Sequence, residues 1–106
     1  MNVLHIYSIH DAAVAAFATP FVAATDVAAS RVFSGVVNEP GSVYSIQPSD
    51  FTLFRVGTFD VMSGRITVDE IKRIRNGLEL VKQVEAFNGG QGNLAFDEGT
   101  GDLING

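Results

Sequence analysis

The chain has 106 residues, enough for one domain and too few for two independent cores. Hydrophobic residues make up 46% of it and charged residues 18%, a balance that favours a folded globule over disorder. A net charge of −5 argues against a protein dominated by phosphate contacts, and the absence of cysteine excludes disulfides, thiolate metal sites and cysteine nucleophiles.

Residues 1–10 lack the basic start and long apolar run of a signal peptide, and no apolar stretch approaches the roughly 20 residues of a membrane span. A cytoplasmic protein with no membrane partner is therefore expected.

Val3 to Ile9 mixes β-branched and aromatic residues with little polarity, and reads as a strand buried on much of both faces. His10 to Ala13 makes a turn. A second extended run, Ala15 to Ala24, places Phe17 and Phe21 on one face by their even spacing. Pro20 has no amide hydrogen for a ladder bond, which puts this strand at an edge or gives it a bulge. The two runs together read as an N-terminal β-hairpin.

Thr25 and Asp26 signal a helix start, because either side chain accepts from exposed amides of a first turn. From Val27 to Val37 the apolar positions Ala29, Val32, Phe33, Val36 and Val37 fall at helical spacing, and Asn38, Glu39, Pro40 and Gly41 end the run. Pro48, Ser49 and Asp50 punctuate the chain ahead of a strand from Phe51 to Phe59. Asp60 to Gly64 reads as a hairpin loop with Gly64 in the positive-φ position, and Arg65 to Val68 begins the returning strand.

For residues 69–85 a helix is favoured over a continued strand. Ile71, Ile74, Leu78 and Val81 form a helical stripe, and Thr67 with Glu70 fits a capping box. Gly77 opposes that helix by about 1 kcal/mol relative to alanine. From Asn88 onward, glycine, asparagine and acidic residues point to a flexible acidic tail. The expected architecture is an α+β domain over residues 1–87, built as β-hairpin, helix and β-hairpin with a C-terminal helix or strand, followed by a tail over residues 88–106.

Few residues suggest chemistry. His5 and His10 lie an odd number apart, on opposite faces of a regular strand, and no convergent partners for a metal or a general base accompany them. Asp97, Glu98 and Asp102 lack the ligand alternation of a calcium loop, and Gly89, Gly90 and Gly92 lack the lysine and helix of a phosphate loop. No nucleophile elbow or flanking carboxylate pair is present, so neither catalysis nor a cofactor is expected.

The basic residues are unevenly spread. Arg65, Lys72, Arg73, Arg75 and Lys82, five of the seven, lie between positions 65 and 82. On a helix, Lys72, Arg75 and Lys82 would share part of an exposed face able to touch phosphates. Balanced by Asp69, Glu70, Glu79 and Glu85, the same residues also suit a solvated face. The eight phenylalanines offer base-stacking platforms, but their spacing fits core packing better.

One set of residues runs through positions 1–68: Ile6 to Asp11, Pro20 to Ala23, Asp26, Ala29, Arg31 and Phe33, then Val37, Asn38 and Pro40. It continues through Pro48, Asp50, Phe51, Leu53 and Phe54 to Gly57, Phe59, Asp60, Ser63 and Gly64. In these residues the chain resembles the small nonstructural protein of gokushovirus-type microviruses, bacteriophages with circular single-stranded DNA. The resemblance implies an intracellular phage protein in the cytoplasm of the bacterial host, concerned with the passage from duplex replication to single-strand synthesis and packaging. It transfers no catalytic residue.

The expected function is accordingly a non-enzymatic accessory factor that contacts a viral or host replication or assembly protein through a sheet edge or the 65–82 segment. One alternative is direct single-stranded DNA binding through Arg65, Lys72, Arg73, Arg75 and Lys82. A second is a scaffolding role in assembly. A homo-oligomer would suit a core this small.

Overall fold

A computed structural model of the chain describes residues 2–82. Strand β1 (Val3–Asp11) lies inside an antiparallel sheet and pairs along its whole length with β4 (Phe51–Asp60), from Val3 opposite Asp60 to Asp11 opposite Phe51. A bulge between Ile6 and Tyr7 in that pairing accommodates Val56 as an extra residue. On its other side β1 meets two short strands in turn, β2 (Ala16–Phe17) and β3 (Phe21–Ala23). The N-terminal hairpin thus forms as the sequence predicts, and its second arm is an edge, as Pro20 requires.

That arm is broken at Ala18 to Pro20, and the break separates two side chains expected on one face. Phe21 stacks on Tyr7 at a centroid distance of 5.8 Å, beside the core, whereas Phe17 turns to His10 at 4.7 Å and Phe54 at 5.7 Å. The alternation that even spacing assumes does not survive the interruption. The backbone freed there is still satisfied: the Ala18 amide donates to the Ile9 carbonyl, and Ser8 Oγ donates to the Ala18 carbonyl at 2.6 Å.

Helix α1 (Asp26–Val37) begins at Thr25, whose hydroxyl accepts from the Ala28 amide at 3.1 Å. Ala29, Phe33 and Val37, spaced one turn apart, are buried against Tyr7, Phe51, Leu53 and Ile74 of the sheet. Each fully buried large side chain in such a core contributes about 1.5–3 kcal/mol. The helix ends at Asn38, whose side chain donates to the carbonyls of Ser34 and Leu80 and accepts from the Lys82 amide. A single turn, α2 (Val43–Ile46), follows, and its Tyr44 packs edge-on against Phe51 at 4.7 Å.

The hairpin from β4 turns at Val61 to Arg65 with Gly64 at φ 75°, as expected, and returns as β5 (Ile66–Asn76). Residues 69–76 are therefore strand, not the favoured helix. Pairing with β4, from Ile66 opposite Phe59 to Asn76 opposite Thr52, outweighs the local helical stripe. Of that stripe Ile74 enters the core, while Ile71 and Leu78 stay exposed. The capping box forms not at Thr67 and Glu70 but at Asn76 and Glu79, and it starts a short 3-10 turn over Gly77–Leu80. Gly77 is required there, because a Cβ would overlap the Pro48 carbonyl oxygen.

The result is an α+β domain with strand order β2/β3, β1, β4, β5 and α1 across one face. The sequence expectation of a tail from Asn88 lies outside the described residues, as does the end of the expected domain at 87.

A cationic groove between α1 and β5

Strand β5 is the outer strand of the sheet on the side opposite β2 and β3, and α1 runs beside it. Between them lies a groove of about 410 Å³ whose lining includes Asp26, Ser30, Arg31 and Ser34 from the helix and Lys72, Arg73 and Arg75 from the strand. Three of the five basic residues singled out in the sequence thus converge. Arg65 does not join them: it sits in the hairpin turn, where its carbonyl accepts from the Asp60 amide at 2.9 Å. Lys82 follows the 3-10 turn, held by its amide to Asn38 Oδ1 at 2.9 Å. The helical face expected to group Lys72, Arg75 and Lys82 does not exist, because the segment is a strand.

The fourth cation, Arg31, was not legible as part of the cluster, since 41 residues separate it from Lys72. Its signal lies in the helix pattern. Val27, Arg31 and Ser34 fall on one stripe beside the buried stripe of Ala29, Phe33 and Val37, and all three line the groove.

Two acids lie close to these cations, and both are engaged. Asp26 accepts from Tyr7 Oη at 2.6 Å and from Arg55 Nη1 at 3.2 Å. The hydrogen bond from Tyr7, with the charges of Arg55 and Lys72, holds its carboxyl below the usual aspartate range. Glu79 pairs with Arg73, and that hydrogen bond likewise depresses its carboxyl. Among the described residues Arg31, Lys72 and Arg75 have no ion-pair partner, and all three are exposed. Arg75 spends one donor on the Ile74 carbonyl at 2.8 Å.

The two histidines part as their spacing predicts. His5 lies edge-on to Tyr7 on the helix side, and His10 sits with Phe17 and Phe54. That second cluster borders a shallow apolar hollow of about 210 Å³ lined by Phe17, Pro20, Val56 and Ile71. Among the described residues no group of three or more acidic or histidine side chains is placed to hold a metal ion, and no helix is long and apolar enough to cross a membrane.

No curated protein and no solved structure matches the chain. The family model for Phage ORF5 protein matches residues 4–80. The match runs past residue 68, where the resemblance read from the sequence stops, and takes in both walls of the groove. The chain belongs to the Phage ORF5 protein family, and is thus a bacteriophage protein with an α+β fold.

Proposed function

We propose that this chain is a non-enzymatic accessory protein of a gokushovirus-type microvirus that holds viral single-stranded DNA in the groove between α1 and β5. It acts in the host cytoplasm, in genome replication or its coupling to packaging. The observation that carries this reading is the meeting of Arg31 with Lys72, Arg73 and Arg75 on a chain whose net charge is −5. A concentration of like charge on an otherwise acidic protein costs self-repulsion, and an anionic ligand relieves it. Serine hydroxyls at positions 30 and 34 add donors suited to phosphate oxygens.

Binding of this kind releases counterions. With three unpaired cations engaged, log K for single strands falls with log salt at a slope of about −2. The test is anisotropy titration of a labelled oligo-dT across salt concentrations. Saturable binding with such a slope, weakened by Arg31→Glu, supports the reading. No binding at low salt overturns it.

The second reading is a protein partner from the replication or assembly machinery. It is favoured by the hollow around Phe17, Pro20, Val56 and Ile71, where Phe17 and Ile71 remain 48% and 55% exposed. Co-purification of a phage or host protein, abolished by Phe17→Asp but not by Arg31→Glu, would single it out.

A further inference from the structure

We propose that the sheet face opposite α1 is the interface of a homodimer, in which two copies of this chain pack sheet against sheet.

Strand register settles which residues point away from the helix. Tyr7 and Leu53 point to α1 and form the core, so their neighbours along each strand point outward. From β1 these are Leu4, Ile6, Ser8 and His10; from β4 they are Phe54, opposite Ser8, and Thr52, opposite His10. Phe59 lies opposite Leu4, and β5 adds Ile66 opposite Phe59, Val68 opposite Gly57 and Arg73 opposite Phe54. Val22 of β3 lies opposite Ile6, while Ile71 and the bulged Val56 meet in the hollow beside Phe17.

An antiparallel sheet with one solvated face alternates apolar and polar residues, and this one does not. None of the outward residues is an acid or a lysine. Their one arginine, Arg73, is on the outermost strand and is paired with Glu79. Charge falls instead on the helix side, where Arg55 meets Asp26. Helix α1, Tyr44 and Leu80 also pack on that side. The outward face is left with Val68 87% exposed, Ile66 64% exposed, and Phe17, Val22 and Ile71 half-exposed.

The dimensions fit a second copy. Strands β1, β4 and β5 are nine, ten and eleven residues long, and with the β2/β3 arm they stand four abreast. At ordinary strand spacings this is a face of about 19 Å by 30 Å, roughly 600 Å² per copy. Two such faces together bury about 1,200 Å², the lower bound of a standard stable interface. Two-fold packing sets the face against itself, so a surface with almost no charge meets no repulsion and strands no ion away from water. A strongly charged partner would find no complement on it. A domain this small gains proportionately from the added burial.

The α1/β5 groove lies on the helix side and stays open in the dimer, so the proposal stands whether or not DNA binds there. The hollow around Phe17 and Ile71 is covered by the second copy.

The test is sedimentation equilibrium of the full chain over a range of concentrations, where a reversible monomer–dimer equilibrium is expected. Val68→Lys combined with Ile71→Lys puts charge into the interface and should raise the dissociation constant at least about ten-fold. Both residues are exposed in the single chain, and unchanged circular dichroism would show that the fold is kept. Val32→Lys, on the solvent side of α1, should leave the equilibrium as it is. Independently of any variant, a dimer mixed from labelled and unlabelled chains should give intermolecular NOEs from the methyls of Ile6, Val56 and Ile71, and none from α1. A chain that stays monomeric at every concentration overturns the proposal. So does a dimer untouched by the double variant, or one whose intermolecular contacts come from α1. A monomer that captures a replication or assembly protein through Phe17 overturns it in favour of the protein-partner reading.

Discussion

Tyr7 donates its hydroxyl to Asp26 Oδ1 at 2.6 Å, across 19 residues of chain, and so ties the centre of the sheet to the first turn of the helix. Arg55, opposite Tyr7 on β4, reaches the same oxygen at 3.2 Å. The carboxylate sits where it does three things at once: it favours the helix dipole, neutralises Arg55 and orients the wall of the groove. Burial, and then the hydrogen bond to Asp26, push the Tyr7 phenol upward, so it stays a donor throughout the ordinary pH range.

Removing that donor is the first prediction. Tyr7→Phe keeps the ring, its stacking on Phe21 and its burial, but withdraws a hydrogen bond to a charged acceptor. A loss of about 1–2 kcal/mol in urea unfolding is expected. A change under 0.3 kcal/mol would show that Arg55 alone suffices.

The same pair sets an acid limit. The Asp26 carboxyl is depressed in the folded chain, chiefly by Tyr7, so its contribution to stability is complete above the usual aspartate range and drains away as pH falls through the folded value. Thermal melting followed from pH 7 to pH 2 should show Tyr7→Phe converging on the parent chain at the acid end. Parallel curves would place the acid sensitivity elsewhere.

Asn38 makes a second long tie, joining the end of α1 to Leu80 and Lys82. Asn38→Ala leaves these groups to water and frees the 3-10 turn from the helix. Stability should drop by about 1–3 kcal/mol. Hydrogen exchange at the Lys82 amide should speed up more than at amides of β1. Unchanged exchange at Lys82 would refute the tie.

Gly77→Ala probes a contact, not a conformation. The added methyl meets the Pro48 carbonyl, a backbone atom that yields only if the 3-10 turn shifts. A cost on the order of 1–3 kcal/mol is expected, as for other overpacked sites. Gly35→Ala, where a Cβ would meet nothing within 4 Å, is the control and should be neutral or slightly stabilising.

Within the DNA reading, position along the chain and position in space make opposite predictions. Arg65 and Arg75 are both basic and close in sequence, but only Arg75 lines the groove. Arg31→Ala and Arg75→Ala should each lower the salt slope of oligo-dT binding by about 0.7, whereas Arg65→Ala should leave it unchanged. An equal effect from Arg65 would move the site to the hairpin turn.

What the sequence determined by itself is local. Thr25 and Asp26, the stripe of Ala29, Phe33 and Val37, and the stop at Asn38 specify α1 through contacts within a few residues. Gly64 specifies the turn between β4 and β5 through its own backbone, and Pro20 marks an edge through its missing donor. Three outcomes needed the tertiary structure. Residues 69–76 carry both a helical stripe and β-branched side chains, and only the partner strand β4, at a distance in sequence, decides between them. Phe17 and Phe21 part company because the pairing with β1 lapses at Pro20. Arg31 meets Lys72, Arg73 and Arg75 because α1 packs across the sheet beside its outer strand. The basic cluster was legible as a run in the chain. Its membership was not, since which charges share a groove depends on which elements the core draws together.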